Sequence, residues 1–523
     1  MQEKKYVTYE EFGAVGDGVH DDWEAIRDAH NYANERRKEG YAVKATEGKT
    51  YLIRDIEKPT FIMTDVDWTG ASFIIDDRDL VKGDKRGGRI FHVAPEEPRR
   101  PLSKEEIDEI FPEGKLSRGS LTKLNWKYGF PALLFIYNEN HKNYRRMGSD
   151  GRPTGGGSQL ELISVDKDGN VASDTPLLFA YEQITAVHLV RTDDPEIVIK
   201  GGKFTNLATQ IPCPEATYTT RGFGIKRSHA RLVGIEHYFE GELDGLTPER
   251  RGLSYSGFFF FEDCEEPSLE DSILTAPRYY KPLGVYDLRG CLVNRLTIRN
   301  CKQSNFYRKE DGQPSMLENM YWGINGSSYC KNTTYDSCTL SRFDAHSGIY
   351  NGRIINCTLN AIEVIGGGDL YVENTTLILS RPLLVDLRTD YGSTWNGTIT
   401  FKNCKVKNYD PEKISVTRGT WVNGYYGYEC HMPNIVIDNL EFDKVGPIDI
   451  MDVQVSRSCP EKRYDTLSEE TFLDGTKNEN PYIPFDFVTI KNNEKGYTYR
   501  LYEAPYFKNV KLTGVEKYDD KQS

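Results

Sequence analysis

Apolar and polar residues alternate in three stretches of the chain, 341–348, 360–367 and 384–390, which align with one another. Side chains alternate faces along a β-strand, so each stretch has one apolar and one polar face. The apolar faces carry Phe343/Ala345, Ile362/Val364 and Val385/Leu387, and the polar faces carry Asp344/His346, Glu363/Ile365 and Asp386/Arg388. The alternation predicts stacked parallel strands, roughly 5 Å apart, with apolar side chains inside and polar side chains on an outer wall.

Three acids, Asp344, Glu363 and Asp386, share this outer wall, and we refer to them as the acid column. Asp344 follows Cys338 by six positions, and Glu363 follows Cys357 by the same interval. The shared spacing sets the register of the first two acids. The third acid, Asp386, aligns with the other two when a short insertion in the chain before it is allowed.

A short strand that ends in a small polar pair recurs along the chain. The copies are 261–264, 298–301, 335–338, 354–357, 372–375, 401–404 and 437–440. Such repetition is typical of a solenoid, in which each rung (one turn of the chain) stacks on the next, rather than of a sandwich of unrelated strands. Asn is frequent at the end of the repeat, because it tolerates left-handed backbone angles and can form hydrogen bonds along a stack.

Length and charge narrow the possibilities. A chain of 523 residues exceeds an ordinary single core, unless the core grows with length as in a solenoid. The net charge of -13 argues against a general binder of nucleic acids or anionic membranes, although a polyanionic sugar is not excluded. We find no run of about 20 apolar residues and no signal peptide. We therefore expect no membrane span and an extracellular protein, either secreted with its signal removed or carried on a virion.

The ten cysteines fall into two groups. Five occupy the same position of the repeat and are predicted to be buried thiols, namely Cys264, Cys301, Cys338, Cys357 and Cys404. The others have no predicted pairing, namely Cys213, Cys291, Cys330, Cys430 and Cys459. No Cys-x-x-Cys pair indicates a zinc site.

The N-terminal segment differs from the repeats. A helix is predicted over roughly residues 22–37, with an apolar stripe that includes Ala25, Ile26 and Ala29. Asp21 or Asp22 is the expected N-cap. An amphipathic helix of this kind covers the open end of a solenoid.

The run Phe12-Gly13-Ala14-Val15-Gly16-Asp17-Gly18-Val19-His20-Asp21-Asp22, followed by a helix, resembles the start of pectate-lyase-superfamily proteins. That superfamily includes secreted polysaccharide-degrading enzymes and phage tailspikes. The resemblance implies an all-β fold, a single-stranded right-handed parallel β-helix with an N-terminal capping helix. It also implies a monomer or a homotrimer. The acids of the motif lie at the cap and are expected to be structural, and the Asn-Thr-Asp, Asp-Asp and His-Gly pattern of polygalacturonases is absent.

Three regions are predicted. Residues 1–55 form the N-terminal cap and first rungs, and residues 56–445 form the parallel β-helix. An insertion at about 81–157, with a glycine run at its end, interrupts the β-helix and is expected to be a groove wall or an oligomer contact. Residues 446–523 form the C-terminal rungs and cap.

The acid column suits glycosidic bond hydrolysis, which uses two carboxyl groups. Adjacent rungs place acids at roughly the 5–5.5 Å of retaining enzymes, and alternate rungs place them at or beyond the inverting range. We expect Asp344 to act with Glu363 or Asp390, with Asp386 as the further acid of the column. His346 and Arg388 then orient groups or stabilise charge, unless His346 is only a hydrogen-bonded turn residue. The alternative is a solvated polar wall with incidental acids.

Aromatic residues near the acid column favour a sugar as substrate, because sugar rings pack against aromatic faces. Trp322, Tyr391 and Trp395 are the candidate platforms, and Arg342 is a further substrate-binding candidate. Asp287, in an earlier rung, repeats the Asp-x-Arg spacing and either extends the groove or pairs with Arg289.

Two alternatives remain open at this point. A polysaccharide lyase cleaves uronic-acid chains by β-elimination, and superfamily members that this chain resembles use calcium. In that case Asp344, Glu363 and Asp386 hold the ion, and Arg388 or His346 takes the proton. The other alternative is a tail fibre or adhesin that binds glycans without cleaving them. The hydrolase itself needs no cofactor or metal, and no spacing specifies the sugar.

Overall fold

The computed structural model describes residues 4–518 except 120, 147–154, 216, 244–246, 248, 281–282, 309–311, 315–324, 408–413, 421–425, 455–482 and 504–506. The chain divides into two compact units. Unit 1 comprises Met1–Arg99, Val190–Gly326 and Ser337–Ser341, and unit 2 comprises Arg100–Leu189, Ser327–Asp336 and Arg342–Ser523.

Unit 1 is a stack of short parallel strands. They are β1 Lys5–Thr8, β2 Asp17–Asp21, β3 Tyr41–Lys44, β4 Thr50–Ile53, β5 Thr60–Ile62, β6 Val66–Asp76 and β7 Phe91–Val93. Unit 2 begins with β8 Arg100–Pro101, β9 Ala132–Asn143, β10 Gly157–Val165 and β11 Ala186–Arg191. Unit 1 continues with β12 Ile197–Leu207, β13 Tyr218–Thr219, β14 Phe223–Ile225, β15 Ala230–Val233, β16 Glu236–Glu240, β17 Ser254–Glu262, β18 Ser268–Glu270, β19 Ile273–Leu274, β20 Tyr286–Cys291, β21 Thr297–Arg299 and β22 Lys302–Gln303.

The later strands carry most of unit 2. They are β23 Asn325–Asp336, β24 Thr339–Ile355, β25 Thr358–Val364, β26 Gly366–Glu373, β27 Thr376–Ile378, β28 Asp386–Leu387, β29 Trp395–Lys407, β30 Ser415–Thr420, β31 Asn434–Phe442, β32 Ile448–Gln454, β33 Phe487–Lys491, β34 Tyr499–Tyr502, β35 Lys511–Thr513 and β36 Glu516–Tyr518.

Strand pairing identifies the fold. In unit 1, β3 pairs with β6, β6 with β12, and β12 with β15, all in parallel. In unit 2, β26 pairs with β29, β29 with β31, and β31 with β33, again in parallel. Crossover connections between parallel strands are right-handed in nearly all proteins. The right-handed parallel β-helix predicted from the sequence is confirmed.

Helix α1, Trp23–Glu35, packs its apolar stripe in unit 1, where Ala25, Ile26 and Ala29 are buried. Asp22 occupies the N-cap position, but its carboxylate forms no cap hydrogen bond. It accepts hydrogen bonds from backbone N–H groups of the preceding loop and of β4 instead. The acid therefore fixes the loop before the helix, and the expectation of a capping carboxylate at Asp22 is corrected.

An antiparallel sheet with strand order β10-β9-β11-β8 opens unit 2. Helix α2, Lys104–Ile110, contributes Ile110 to the apolar cluster of this region, which also contains Leu134 and Ile163. The predicted insertion at 81–157 overlaps the sheet. Among the described residues, no helix has the length and apolar character needed to cross a bilayer.

The repeat ends behave as predicted. Asn300, Ser337, Asn356, Asn374 and Asn403 adopt positive φ angles between 49° and 57°. The side-chain amide of Asn374 donates to Asn356 on the preceding rung, at 3.3 Å. The five recurring cysteines are buried, as predicted, and Cys213 and Cys430 are free thiols. Cys459 lies outside the described residues.

Candidate active site

The acid column lies on the β24, β25 and β28 strands of unit 2. In the parallel pairing of β25 with β28, Glu363 stands opposite Asp386, and Val364 stands opposite Leu387. Val364 and Leu387 are fully buried in the core, so the neighbouring acids project from the other face of the strands. The register that the sequence predicted for this pair is the one observed.

The three acids are buried, although the sequence predicted a solvent-facing wall. The exposed fractions of Asp344, Glu363 and Asp386 are 0%, 6% and 4%. Alternation along a strand indicates which face a side chain occupies, but not what covers that face. Arginine side chains cover it here.

Arg342 joins two acids of the column. Its Nη2 lies 2.5 Å from Oδ2 of Asp344, and its Nη1 donates to Oε2 of Glu363 at 2.7 Å. The guanidinium group is 1% exposed. Sequence reasoning assigned Arg342 to substrate binding, whereas the structure uses it to neutralise two buried carboxylates.

Two further arginines, which the sequence did not identify, contact Asp386. Nη1 of Arg381 donates to Oδ2 at 2.6 Å, and Nη2 of Arg418 lies 2.5 Å from Oδ1. Arg381 also approaches Oε1 of Glu363 at 3.7 Å, and its side chain is 49% exposed. Arg381 therefore forms a solvent-accessible cover over Glu363 and Asp386. Arg381 lies in the short insertion before Asp386 that the alignment of the three stretches had to allow. Arg418 lies on β30, where the sequence shows no copy of the Asn-Cys repeat.

Asp390 belongs to a neighbouring pair rather than to the column. It accepts from Arg388 at 2.9 Å and from Arg146 at 2.6 Å. Nη1 of Arg388 lies 4.0 Å from Oδ1 of Asp344, so the two groups of charges are linked. His346, 27% exposed, has its Nδ1 3.1 Å from the same Oδ1. His346 thus contacts the first acid of the column from its more accessible side.

The arginines set the protonation of the acids unequally. Burial raises the pKa of Asp344, but the charges of Arg342 and His346 outweigh burial and lower it to about 2. Burial also dominates at Asp386, where the charge of Arg418 offsets it only in part, so the pKa is raised. The hydrogen bond from Arg388 overcomes burial at Asp390 and lowers its pKa. Asp344 is therefore an anion, whereas burial favours the protonated form of Asp386.

Trp395 and Tyr391, which were predicted to pack against a sugar, are buried rather than exposed to solvent. Trp395 is fully buried, and its indole N–H donates to the carbonyl of Gly368 at 3.0 Å. Tyr391 is 9% exposed and packs beside Arg388 and Arg146. Trp322 lies outside the described residues. Turn packing, rather than an open sugar platform, explains Trp395 and Tyr391.

Asp287, the candidate subsite residue of unit 1, is fully buried. Its carboxylate contacts Nδ1 of His237 at 2.6 Å and accepts from the backbone N–H of Thr275 at 2.9 Å. Arg289 donates to Ser256. The side chain of Asp287 is committed to a buried histidine 50 residues earlier in the chain, and the predicted Asp287–Arg289 pair does not form.

A calcium ion does not fit the acid column. Asp344, Glu363 and Asp386 each face a guanidinium group within 2.7 Å. Those groups occupy the carboxylate oxygens that a calcium ion needs, and their positive charge repels a cation. No step of the chemistry is therefore assigned to a metal.

A cavity of about 350 Å³ lies in the same unit, and no motif in the sequence indicated it. One part of its lining follows the acid-bearing strands β25 and β28 along the chain. It consists of Gly366, Gly367, Thr394 and Asn396. The remaining lining comes from distant segments and includes Arg118, His141, Asn143, Tyr144, Phe179, Tyr428, Glu429 and His431. Because these segments lie up to about 300 residues apart along the chain, no local motif links them.

No protein-family model matches the sequence, and a comparison with curated proteins finds no match. Among solved structures, the tailspike gp49 from Pseudomonas phage LKA1 is similar, with 12% identity, 97% of this chain and 84% of that chain covered, and a TM-score of 0.49. The gp54 tailspike of Acinetobacter baumannii bacteriophage AP22, in complex with A. baumannii capsular saccharide, has 10% identity, coverage of 97% and 79%, and a TM-score of 0.47. The Streptococcus pneumoniae surface adhesin PfbA has 10% identity, coverage of 86% and 90%, and a TM-score of 0.40. At these sequence identities, the similarity concerns only the fold.

Proposed function

We propose that the protein is a carbohydrate-active enzyme that hydrolyses glycosidic bonds of a poly- or oligosaccharide, with Glu363 and Asp386 as the carboxyl pair. The observation that carries the proposal is the placement of these acids opposite each other on adjacent strands. Adjacent strands lie about 4.8 Å apart, which is close to the carboxyl separation of retaining glycosidases. Burial raises the pKa of Asp386, which favours the second requirement, a protonated carboxyl group.

The two acids take different roles in this scheme. Asp386 donates its proton to the glycosidic oxygen as the bond to the leaving sugar breaks. Glu363 attacks the anomeric carbon and forms a glycosyl ester. Asp386, now ionised, takes a proton from water, whose oxygen attacks the anomeric carbon and releases the sugar from Glu363. The protein regains both starting protonation states.

Access to the pair depends on Arg381. Its side chain is 49% exposed, whereas those of Arg342 and Arg418 are 1% and 13% exposed, so Arg381 is the partner that can move away at the lowest cost. Its departure removes a positive charge beside Asp386 and favours the protonated acid. Substrate binding and the protonation of the acid are thereby coupled.

The lyase is less well supported. Arg388 is one of its two candidate bases, and burial of the guanidinium is more than offset by its hydrogen bond to Asp390 and by the charges of the surrounding acids. They raise the pKa of the guanidinium above its ordinary value, so Arg388 retains its proton. A glycan-binding protein without activity is the remaining alternative. One experiment separates the hydrolase, the lyase and the glycan-binding protein.

We also propose that this protein works outside the cell, where poly- and oligosaccharides of this kind are found.

The test is a polysaccharide panel incubated with the wild type, Glu363→Gln and the matched control Glu373→Gln, which changes a solvent-accessible acid on β26. We expect reducing ends from the wild type and the control, and none from Glu363→Gln. A product that absorbs in the ultraviolet through a new double bond identifies a lyase. Binding without either product identifies a glycan-binding protein. Full activity of Glu363→Gln on a cleaved polysaccharide would refute the assignment of the pair.

A further inference from the structure

The cavity beyond the acid column is lined by a buried amide that has no hydrogen-bond partner among the described residues. The side chain of Asn143 is 1% exposed, and neither its Oδ1 nor its Nδ2 has a hydrogen-bond partner among the described residues. Such a group costs free energy in a folded protein unless a ligand or water completes it. Asn143 lies at the end of β9 and is one of the residues that line the cavity.

Aromatic residues line the same cavity as this amide. The ring of Tyr144 lies 5.1 Å from that of Tyr428 and 6.2 Å from that of Phe179, measured between centroids. All three residues line the cavity. An amide that can both donate and accept, set among aromatic faces, is complementary to a pyranose ring, with its adjacent hydroxyl groups and apolar C–H faces.

The charge of the lining favours a neutral sugar. Burial lowers the pKa of His431, and the nearby Arg118 adds to the effect, so the imidazole is neutral at pH 7. Arg118 and Glu429 have opposite charges and exposed side chains. The buried part of the cavity therefore offers no net charge for a uronic acid.

The cavity also has a direct structural link to the acid column. The hydroxyl group of Tyr428 donates to the carbonyl of Tyr391 at 2.6 Å, next to Asp390. The segment that supplies Asn143 to the cavity also supplies Arg146 to Asp390. A sugar in the cavity therefore lies beside the same rungs as the proposed catalytic acids.

We infer that the cavity is a binding site for one or two neutral pyranose residues, held by hydrogen bonds to Asn143 and by packing against Tyr428 and Phe179. The volume of about 350 Å³ is at the small end for ligand sites, which suits a short saccharide rather than an extended polymer. The inference rests on the proposed function, because it makes the cavity a subsite of the hydrolase that selects the sugar next to the cleaved bond.

The test measures binding of glucose, galactose, mannose, glucuronic acid and galacturonic acid to the full chain by saturation-transfer NMR and calorimetry. We expect at least one neutral sugar to bind and both acids to bind at least tenfold more weakly. Asn143→Leu is expected to weaken binding of that sugar at least tenfold. Asn140→Ala, an exposed change on the same strand, is the matched control and leaves affinity unchanged.

Monosaccharides contain no bond for the enzyme to cleave, so this result is independent of the hydrolase assignment. Binding that is lost in Asn143→Leu supports the cavity, even when no polysaccharide is cleaved. Two results would overturn the sugar site in the cavity, even when Glu363→Gln is inactive. The first is wild-type affinity in a folded Asn143→Leu variant, and the second is no binding of any neutral sugar. Should Asn143→Leu not fold, the isosteric Asn143→Asp replaces it, with the same expected loss, because it exchanges the amide donor for an acceptor.

Discussion

Two groups of acids in this protein differ in the partners of their carboxylates. At the N-terminal cap, the carboxylates of Asp17, Asp21 and Asp22 accept hydrogen bonds from backbone N–H groups. In the acid column, the carboxylates face arginine side chains. The backbone bonds hold the cap acids in one arrangement, whereas side-chain partners can move. The difference separates acids that fix the fold from acids whose protonation can change during a reaction.

The contrast predicts its largest effect at the column. Asp386→Asn removes the proposed proton donor and is expected to lower kcat by roughly 10²–10⁴-fold on a cleaved polysaccharide. The fold should persist, since Asn preserves the shape of the side chain. Steady-state kinetics and circular dichroism check both expectations, with the exposed Asp369→Asn on β26 as control. Unchanged kcat would place Asp386 with the structural acids.

The opposite result is expected at the cap. Asp22→Ala removes the carboxylate that accepts from the backbone N–H groups of Val15, Gly16 and Leu52, the last two in buried hydrogen bonds, and should lower the free energy of unfolding by about 2–4 kcal/mol. Chemical denaturation measures the loss, and Asp28→Ala on the exposed face of α1 is the control. The specific activity of folded Asp22→Ala protein should equal that of the wild type. A selective loss of activity would contradict the distinction.

Asp344 sharpens the comparison through pH. Its pKa of about 2 in the folded state lies below its ordinary value, so its ionised form stabilises the fold above pH 4, and the contribution is lost as the pH falls through 2. Asp344→Asn should therefore be less stable by about 2 kcal/mol at pH 7. The difference from wild type should shrink between pH 4 and pH 2. Thermal melts across that range test the sign, and a constant difference would contradict it.

The smallest expected effect concerns Arg418, whose charge lowers the pKa of Asp386 against the larger effect of burial. Arg418→Met removes that charge, so the pKa of Asp386 should rise further. The basic limb of the pH–rate profile should move to higher pH, because the proton donor stays protonated longer. Arg353→Met, an exposed change on β24, is the control. A shift to lower pH would show that the limb does not report Asp386.

The sequence predicted the features that repeat. Residues at the ends of the rungs, such as Asn356 and Asn374, take the expected left-handed conformation, and the buried thiols follow them. The strand alternation also aligned Glu363 with Asp386, once a short insertion before Asp386 was allowed. Each of these features depends on local geometry that recurs in every rung, and so leaves a trace in the sequence.

The features that the sequence did not predict depend on partners from distant segments. Strand alternation placed Asp344 on the outer face, but the burial of that face depends on neighbours such as Arg342 and Arg388, whose side-chain directions are set by tertiary packing. The same applies to Trp395, which donates to a backbone carbonyl instead of facing a sugar. The cavity around Asn143 combines three remote parts of the chain and has no periodic signal.

The central claim is that Glu363 and Asp386, on adjacent rungs, form the catalytic pair. The most direct test is to follow the anomeric configuration of the first product by proton NMR on a cleaved polysaccharide. Carboxyl groups on adjacent rungs have the separation of a retaining mechanism, so we expect the product to keep the configuration of the substrate. Inversion would contradict the account, because it requires the wider separation of acids on alternate rungs, such as Asp344 and Asp386.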